Sequence, residues 1–276
     1  MTQAIRWKRS VLVFHGSVSE VNPDWRESLA PLSLDVPQQW SRFDRGEVAS
    51  ASRSTNSFKV TLESGEVVFF KRYVYFTRRL RSLLIPSKAT VEAWGLSELH
   101  RLGCRTPEVL AVGERRVLGN VRAAFVVTRE IVDSISLAEL AETVTEKPGS
   151  LLGQRQINDI AADLIPQLQA MHRAGFFHYD LKWRNLMVQD PDGECRVYVI
   201  DCPRARRHRW RRFRGQVVDL SALSRVAVSR LSKIQRLRFF IRYLGPGYDR
   251  TRARRLLSAV NAHLSRRPPR GWKATL

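Results

Sequence analysis

The sequence predicts an α+β protein in which a smaller β-rich part precedes a larger helical part. Two observations support this prediction. β-prone residues dominate several short runs before residue 130, and apolar residues recur at helical spacing over much of the chain after it. With 276 residues, the chain is long enough for two lobes. The expected divisions are an N-terminal extension of unassigned role at residues 1–45, a first lobe at 46–130 and a second lobe at 131–276.

The first lobe is predicted to contain a β-hairpin, a helix and two further strands. The hairpin turn is Glu63–Glu66, because its Ser-Gly pair favours a turn between two β-prone runs. The helix is expected to stop at Gly103. The predicted elements are the strands Phe58–Leu62 and Val67–Tyr73, the helix 88–102, and the strands Val109–Val112 and Ala123–Thr128.

The second lobe is predicted to be mainly helical. Apolar residues from Ile157 to Met171 follow a helical period, and Pro166 within them predicts a kink or a break. A second hairpin is expected around the turn Asp190–Gly193, with strands at Leu186–Val188 and Arg196–Ile200. The stretch 216–265 is helical in tendency and is interrupted at Gly245–Gly247.

Composition restricts the class of partner. The chain has 47 Lys and Arg against 26 Asp and Glu, so its formal net charge is +21. This excess favours polyanions, namely nucleic acid, phosphorylated ligands or an acidic membrane surface. Three cysteines without a CxxC pair argue against a disulfide framework and a structural zinc site, and a reducing cytosol is the expected compartment. No stretch approaches the ~18 apolar residues of a spanning helix, so any membrane contact is expected to be peripheral.

The most informative segment is His178–Asn185, which reads HYDLKWRN and is followed by Asp201 at the end of a predicted strand. This pattern is typical of kinases. Asp180 would accept the proton of the attacking hydroxyl, and Lys182 would offset charge on the transferred phosphoryl group. Asn185 and Asp201 would supply oxygens to Mg²⁺. A chance polar loop is the alternative, which the following strand–turn–strand pattern disfavours.

Residues upstream supply candidates for holding a phosphate donor. Lys71 lies among strand residues, and Glu92 follows 21 positions later in the predicted helix, where an ion pair can orient the lysine toward phosphates. A solvated strand lysine is the alternative. The segment 50–57 lies where kinases carry a Gly-rich phosphate loop, although a flexible loop is an equal alternative. The candidates within it are Ser52, Ser54, Thr55 and Ser57.

With these motifs, residues ~46 to ~245 resemble the protein-kinase-like superfamily. Within it, the chain looks most like the lipopolysaccharide core kinases, the bacterial family that phosphorylates heptose or 3-deoxy-octulosonic acid. The residues that carry the likeness are Ser52–Ser57, Lys71, Glu92, Arg105–Val109, His178–Asn185, Val199–Asp201, Asp219-Leu220 and Leu237–Leu244.

The resemblance implies a protein-kinase-like two-lobed fold with a small β-rich N-lobe, a larger helical C-lobe, and ATP and Mg²⁺ bound between them. It implies a phosphotransferase whose alcohol acceptor is a sugar of the lipopolysaccharide core, acting in the cytoplasm at the inner face of the inner membrane. A hinge at 129–132, including Glu130, would meet the adenine. His178 and Asp219 would support the catalytic loop, although a surface helix cap is an alternative for Asp219.

The sequence also departs from protein kinases. Asp201 is followed by Cys202-Pro203 and not by Phe-Gly, and only seventeen residues separate it from Asp219. A long regulated activation segment does not fit this spacing. Lys182 is nevertheless a feature of protein kinases, so a Ser/Thr or Tyr protein kinase remains an alternative. A noncatalytic kinase-like binding module is another, although the presence of all the ionisable groups for phosphoryl transfer favours an active enzyme.

An arginine segment, defined as residues 204–214, contains seven arginines among eleven residues, with Trp210 and Phe213 between them. We expect it to contact a phosphorylated glycolipid acceptor or an anionic membrane. Nucleic acid is a weaker alternative, because it leaves the kinase residues unexplained, and no nucleic-acid partner is expected. A solvated charged segment is the remaining alternative. The candidate contact residues are Arg207, Arg209, Arg211 and Arg212.

Overall fold

The computed structural model describes residues 5–75, 83, 85–146 and 153–266, and it divides into two compact units. The first unit comprises the residues up to Glu98, with Thr106–Glu130 and Cys202–Arg204. The second comprises Leu99–Arg105, Ile131–Asp201 and the residues from Ala205 onward. Residues 1–4 of the predicted extension and 267–276 of the predicted second lobe lie outside the described residues.

The first unit is built on a six-stranded antiparallel sheet with the order β1-β5-β6-β4-β3-β2. The predicted hairpin is confirmed as β3–β4, where alternation of buried residues such as Phe58 and Val60 directs one face of the strand to the core. The elements are β1 (Gly16–Val21), α1 (Arg26–Leu29), α2 (Pro37–Trp40), β2 (Glu47–Ala51), β3 (Thr55–Thr61), β4 (Val67–Val74), α3 (Lys88–Arg101), β5 (Val109–Val117) and β6 (Asn120–Arg129).

The segment before residue 46 is part of the core of this unit. Its strand β1 pairs with β5 at the edge of the sheet. Trp40 packs edge-on against Phe125 with ring centroids 4.8 Å apart, and its indole N–H donates to the carbonyl oxygen of Leu34. Phe43 stacks on Phe70 with centroids 3.9 Å apart. These aromatic contacts cover the face of the sheet that would otherwise expose large apolar side chains.

The second unit is mainly helical. It contains an antiparallel sheet of order β10-β9-β7 and a two-stranded pair, β8 and β11. The predicted hairpin β9–β10 and the interruption after α7 are confirmed. The elements are β7 (Ser134–Ser136), α4 (Leu137–Glu146), α5 (Gln154–Arg173), β8 (Phe176–Phe177), β9 (Leu186–Gln189), β10 (Arg196–Val199), β11 (Arg206–Arg207), α6 (Arg212–Arg230), α7 (Lys233–Leu244) and α8 (Arg250–Ser265).

The break predicted at Pro166 does not occur, and α5 runs through it as one helix. Proline removes one backbone hydrogen bond from a helix. Buried side chains on both sides of it, including Leu164 and Leu168, hold the helix against the rest of the unit. Tertiary packing therefore outweighs the local preference.

Helix α5 also fixes strand β10. The Asp163 carboxylate accepts a hydrogen bond from the Val197 N–H at 2.9 Å, and the Gln167 side-chain amide donates to the Val197 carbonyl oxygen at 2.9 Å. Because β10 leads directly to Asp201, these two bonds restrict where the end of the strand lies.

Replacement of Trp40 by alanine tests the role of the N-terminal segment. Because Trp40 is only 2% exposed, Trp40→Ala should lower the free energy of unfolding by about 3–5 kcal/mol, as expected for removal of a large core side chain. Urea unfolding measures the change. Trp210→Ala is the matched control, since Trp210 is 93% exposed and its loss should change stability by less than ~0.5 kcal/mol. Equal stabilities for the two variants would contradict the packing of Trp40 in the core.

Candidate active site

The loop His178–Asn185 lies between β8 and β9 and brings a carboxylate and an ammonium group together. Lys182 Nζ is 2.6 Å from the carboxylate of Asp180, and the two side chains are 38% and 17% exposed. The Lys182 N–H donates to the Asp180 carbonyl oxygen at 2.8 Å, which closes the turn. The pair is therefore held by the backbone while its charged ends reach solvent. Such an arrangement can accept a proton at the carboxylate and neutralise an anion at the ammonium group.

Asn185 and Asp201 are brought close to each other by backbone hydrogen bonding. The N–H of Ile200, the residue before Asp201, donates to the Asn185 carbonyl oxygen at 3.0 Å. The side-chain N–H of Asn185 donates to the Asp180 carbonyl oxygen at 2.8 Å. This bond uses the amide nitrogen of Asn185 and does not involve its amide oxygen. The donor set is thus one amide oxygen and one carboxylate.

This donor set fits magnesium bound together with phosphates. Mg²⁺ usually takes one or two protein carboxylates and completes its octahedron with water and substrate phosphates. Among the described residues, no group of three or more His, Cys, Asp or Glu is placed to hold a metal ion by itself. Asn185 and Asp201 together offer the oxygen donors that a magnesium ion shared with phosphates would use.

His178 is a buried structural member of the loop. Its Nδ1 accepts the Asp180 N–H at 3.2 Å, and its Nε2 lies 3.0 Å from the Ile200 carbonyl oxygen. An acceptor at Nδ1 and a donor at Nε2 together assign the neutral Nε2–H tautomer. The ring thus connects the backbone of Asp180 to the residue preceding Asp201.

Asp219 anchors the loop from α6. It is fully buried, its Oδ2 accepts the His178 N–H at 2.9 Å, and its Oδ1 accepts the Tyr179 N–H at 2.7 Å. A surface helix cap does not describe this residue, since it lies within α6 and its carboxylate is turned to the loop. Charge-assisted hydrogen bonds to two successive backbone amides fix the conformation of the loop just before Asp180.

Two further residues extend this anchor and were not identified from the sequence. His172 Nε2 lies 3.2 Å from Asp219 Oδ2, and its Nδ1 lies 2.7 Å from the Tyr243 hydroxyl. Gln216 donates to the same hydroxyl at 3.0 Å. With His172 in the Nε2–H tautomer, these partners form one direction of donation, from Gln216 to Tyr243, to His172 and to Asp219. Burial raises the pKa of Tyr243 above its ordinary value, so its hydroxyl keeps the proton that it donates.

The backbone is strained at two positions of the site. Tyr179 has φ 63° and Asp201 has φ 58°, both in the left-handed region that side chains other than glycine rarely adopt. Such strain persists where surrounding contacts impose it, and it concentrates at functional sites. At Tyr179 the restraint is the hydrogen bond from its N–H to Asp219.

In the first unit, the ion pair expected between Lys71 and Glu92 is formed. Lys71 Nζ lies 3.2 Å from both carboxylate oxygens of Glu92, and the two side chains are 16% and 4% exposed. The Tyr73 hydroxyl donates to the same carboxylate. The Cys202 thiol contacts the Glu92 carbonyl oxygen at 3.6 Å. Neither contact was predicted from the sequence. Tyr73 lies on the same strand as Lys71, and Cys202 is 110 positions from Glu92, so neither residue stands at a distinctive spacing.

The serine-rich segment forms the turn between β2 and β3. Ser52 closes this turn by itself, because its N–H and its hydroxyl both donate to the Thr55 carbonyl oxygen at 2.9 Å. The Ser54 carbonyl oxygen accepts the Val74 N–H. Ser57 lies on β3 directly opposite Lys71 in the strand register. Of the four candidates, Ser57 is therefore the cross-strand neighbour of the lysine.

Glu130 lies at the end of β6. Its carboxylate pairs with Lys59 Nζ at 2.7 Å, and its N–H donates to the Val67 carbonyl oxygen at 3.0 Å. The backbone N–H is thus engaged within the sheet. An adenine contact at this residue, which stays a prediction, would have to use the carbonyl oxygen.

Apart from Arg204, which belongs to the first unit, the arginine segment is part of the second unit. Arg206 and Arg207 form β11, which pairs with β8 directly before the catalytic loop. All seven arginines of the segment are exposed, and Trp210 projects into solvent. The strand pairing holds Arg206 and Arg207 beside β8, which ends at Phe177 directly before His178.

Taken together, these groups are the parts of a kinase-like core. A buried Asp on a helix anchors an H-x-D-x-K-x-x-N loop, a strand-end Asp lies beside the Asn of that loop, and a strand Lys pairs with a helix Glu.

The family follows from the comparison with family models. The model of the lipopolysaccharide kinase (Kdo/WaaP) family matches residues 71–243, more than half of the chain. The chain belongs to this family. The match runs from Lys71 to Tyr243 and therefore includes both ends of the constellation described above.

Individual relatives agree with this assignment. The lipopolysaccharide core heptose(I) kinase WaaP of Escherichia coli (strain K12) is 25% identical over 170 residues, which represent 58% of this chain and 63% of that protein. The chain thus matches less than two thirds of that relative. A solved structure of WaaP in complex with acyl carrier protein superposes with a TM-score of 0.66 at 21% identity, over 90% of this chain and 97% of that one, and is similar in fold.

The buried hydrogen-bond chain from α7 to the catalytic loop can be tested at Tyr243. Tyr243→Phe leaves the buried His172 Nδ1 without its donor, which should lower the free energy of unfolding by about 1–3 kcal/mol. Hydrogen exchange at the amides of His178 and Tyr179 should also accelerate.

The control for this prediction is Tyr248→Phe, which removes the same atom from a tyrosine that is 37% exposed. It should leave both measurements unchanged. If Tyr243→Phe behaves like the control, the chain of hydrogen bonds does not support the loop.

Proposed function

We propose that this protein is an ATP-dependent kinase that transfers the γ-phosphoryl group to a sugar hydroxyl of the lipopolysaccharide inner core, on heptose or 3-deoxy-octulosonic acid. One observation carries the proposal. The chain belongs to the lipopolysaccharide kinase family, and its loop holds the partly exposed Asp180 carboxylate 2.6 Å from the Lys182 ammonium group. The amide of Asn185 and the carboxylate of Asp201 follow this pair in the chain. These are the groups that phosphoryl transfer to an alcohol needs.

Asp180 is the proposed general base and Lys182 its cationic partner. The carboxylate would accept the proton of the acceptor hydroxyl as the oxygen attacks phosphorus. Lys182, now paired with Asp180, would meet the negative charge of the transferred group. Because the Lys182 side chain is 38% exposed, it can reorient toward an incoming phosphate, which leaves the Asp180 carboxylate available to the acceptor hydroxyl.

Asn185 and Asp201 are the residues we propose for magnesium. When bound with ATP, the ion supplies charge neutralisation at the phosphates. The contribution of this chain is to fix the two oxygen ligands through the hydrogen bonds of Asn185 to Asp180 and of Ile200 to Asn185.

Lys71 is the proposed contact for the phosphates of ATP, with Glu92 as its orienting partner. Two nearly equal Nζ–O distances of 3.2 Å and the added bond from Tyr73 hold Glu92 in one position. Residues 52–57, which form the turn after β2 and the beginning of β3, are the proposed phosphate-covering segment. The candidate residues of this segment are Ser52, Ser54, Thr55 and Ser57. The carbonyl oxygen of Glu130 is the proposed contact for the adenine.

A protein kinase is the competing enzyme. The seventeen residues between Asp201 and Asp219 contain only β11 and the start of α6, which disfavours a long regulated segment. The family match also supports a lipopolysaccharide acceptor. Offering labelled ATP with dephosphorylated core lipopolysaccharide or with generic protein substrates separates the two activities, because strong transfer to protein alone contradicts the proposal.

The proposed place of action is the cytoplasmic face of the inner membrane, as a peripheral protein. Within the part of the chain that the structure describes, no helix has both the length and the hydrophobicity needed to cross a membrane. The net charge of +21 supports contact with an anionic surface.

Replacement of the proposed base is the most direct test. Asp180→Ala should lower the turnover number by about 10² to 10⁴-fold, as expected for loss of a general base, with little change in the Kd for Mg-ATP. Radiolabel transfer to core lipopolysaccharide and calorimetric ATP titration measure the two quantities.

Two further variants sharpen this test. Asp192→Ala removes an exposed carboxylate from the β9–β10 turn and should leave turnover unchanged. Asp201→Asn should instead weaken Mg-ATP binding, because a metal ligand loses its charge. Full turnover in Asp180→Ala would exclude the proposed base.

The arginine segment is the proposed contact for the phosphorylated acceptor. Arginine forks bind phosphate in a bidentate manner, and the segment follows Asp201 closely in the chain. The four proposed contact residues are all exposed to solvent: Arg207, Arg209, Arg211 and Arg212.

Replacing these four arginines with glutamine should raise the acceptor KM by roughly tenfold or more, since each basic residue near an anionic surface contributes on the order of 1 kcal/mol. The KM for ATP should stay the same. The effect should shrink at high ionic strength, because exposed charges are screened beyond ~8 Å at physiological salt. An unchanged acceptor KM would remove the acceptor role from the segment, and loss of RNA binding alone would indicate a nucleic-acid site.

A further inference from the structure

Helix α7 exposes a stripe of aliphatic side chains. Ile234, Leu237 and Ile241 are 62%, 52% and 40% exposed. Their spacing of three and four residues places them on one face of the helix. A single exposed apolar residue is ordinary, but three on one helical face form a continuous patch.

Basic residues border this stripe on both sides. At about 100° per residue, Lys233 lies on one side of it and Arg238 and Arg242 lie on the other. All three are exposed, and α7 contains no Asp or Glu. An aliphatic centre with basic margins is the pattern of a helix that lies in a membrane interface, where long basic side chains reach the headgroups.

The opposite face of α7 is attached to the rest of the unit. The Tyr243 hydroxyl bonds to His172 and Gln216, and the Gln169 side chain donates to the Tyr243 carbonyl oxygen at 2.9 Å. Ser232 caps the helix by accepting the Gln235 N–H. The helix is therefore formed and held without any outside partner. The stripe and its margins are exposed to solvent on the outer side of the helix.

The charge of the surrounding chain favours an anionic partner. From residue 220 to the C-terminus, the sequence contains 14 Lys and Arg against a single acidic residue, Asp249. The stripe itself is aliphatic, whereas the energetic centres of protein interfaces are enriched in Trp, Tyr and Arg. Branched aliphatic side chains between basic margins match the boundary between acyl chains and anionic headgroups better than a protein surface.

We propose that the outer face of α7 binds an anionic bilayer surface, with Ile234, Leu237 and Ile241 at the acyl boundary and Lys233, Arg238 and Arg242 at the headgroup phosphates. The proposal rests on the proposed function at one point, namely that the acceptor lipopolysaccharide lies in a membrane. It assigns bilayer contact to α7, separately from the acceptor contact of the arginine segment.

Flotation of the full chain with lipid vesicles tests the proposal. The wild type should bind phosphatidylglycerol–phosphatidylcholine vesicles at low salt and bind pure phosphatidylcholine vesicles weakly. The triple variant Ile234→Ser, Leu237→Ser, Ile241→Ser should bind the anionic vesicles at least tenfold more weakly. Because the replaced side chains are 40% to 62% exposed, its thermal unfolding should remain cooperative and close to that of the wild type. Wild-type binding by this variant would overturn the proposal.

A pair of charge variants separates α7 from the general positive charge. Lys233→Gln, Arg238→Gln, Arg242→Gln removes three charges from α7. The matched control Arg250→Gln, Arg254→Gln, Arg266→Gln removes three exposed charges on and beside α8. The α7 set should weaken vesicle binding at least tenfold, and the control less than threefold. Equal losses would show that diffuse charge binds the vesicles, against the proposal.

A protein partner is the rival occupant. Purified acyl carrier protein is a suitable probe, because the solved structure that is similar in fold is WaaP in complex with acyl carrier protein. The proposal would be overturned by two results together. In the first, the wild type binds acyl carrier protein and the serine variant does not. In the second, the wild type does not bind vesicles, so that the outer face of α7 is assigned to a protein.

Activity toward a water-soluble core oligosaccharide keeps this proposal separate from the proposed function. The serine variant should phosphorylate that acceptor at the wild-type rate. Failure of the wild type to phosphorylate it would contradict the proposed function, whereas the flotation result would still stand for α7.

Discussion

The hydrogen bonds of the buried Asp219 carboxylate are the interactions on which the loop His178–Asn185 depends. An unpaired buried carboxylate is strongly destabilising, so its position is tolerated only because the His178 N–H, the Tyr179 N–H and His172 donate to it. In return, those donors hold Tyr179 in a left-handed conformation directly before Asp180. The position of the Asp180 carboxylate is thus set by hydrogen bonds to a second carboxylate, that of Asp219.

The first unit also contains a buried carboxylate that several donors hold in place. Glu92 is almost fully buried and is satisfied by Lys71 and Tyr73, so the ammonium group of Lys71 has a defined position. In both units, a buried acid anchored by several donors orients a functional group that is more exposed than itself. Arrangements of this kind limit the conformational freedom that would otherwise oppose a productive geometry.

Two chemically different surfaces carry part of the excess positive charge. The arginine segment presents guanidinium groups with an exposed Trp210, whereas α7 presents aliphatic side chains between basic margins. Guanidinium groups suit bidentate phosphate recognition, and the α7 pattern suits an interface with lipid. The α7 surface is also connected to the catalytic loop, because Tyr243 on its inner side bonds to His172.

Local features of the protein could be predicted from its sequence. The hairpin β3–β4, helix α3 and the hairpin β9–β10 follow from turn residues and periodicity within about twenty positions, and the spacing within His178–Asn185 indicated this loop as the candidate site. The ion pair between Lys71 and Glu92 could also be predicted, since a strand followed by a helix brings these two positions near each other.

Contacts between distant residues, in contrast, emerged only in the folded chain. His172 and Tyr243 support the loop across 47 and 71 positions, Trp40 packs on Phe125, and α5 continues through Pro166. The physical reason is the same in each case. A side chain whose partner lies far along the chain leaves no period or spacing in the sequence, and the energy of its packing appears only when folding brings the two together.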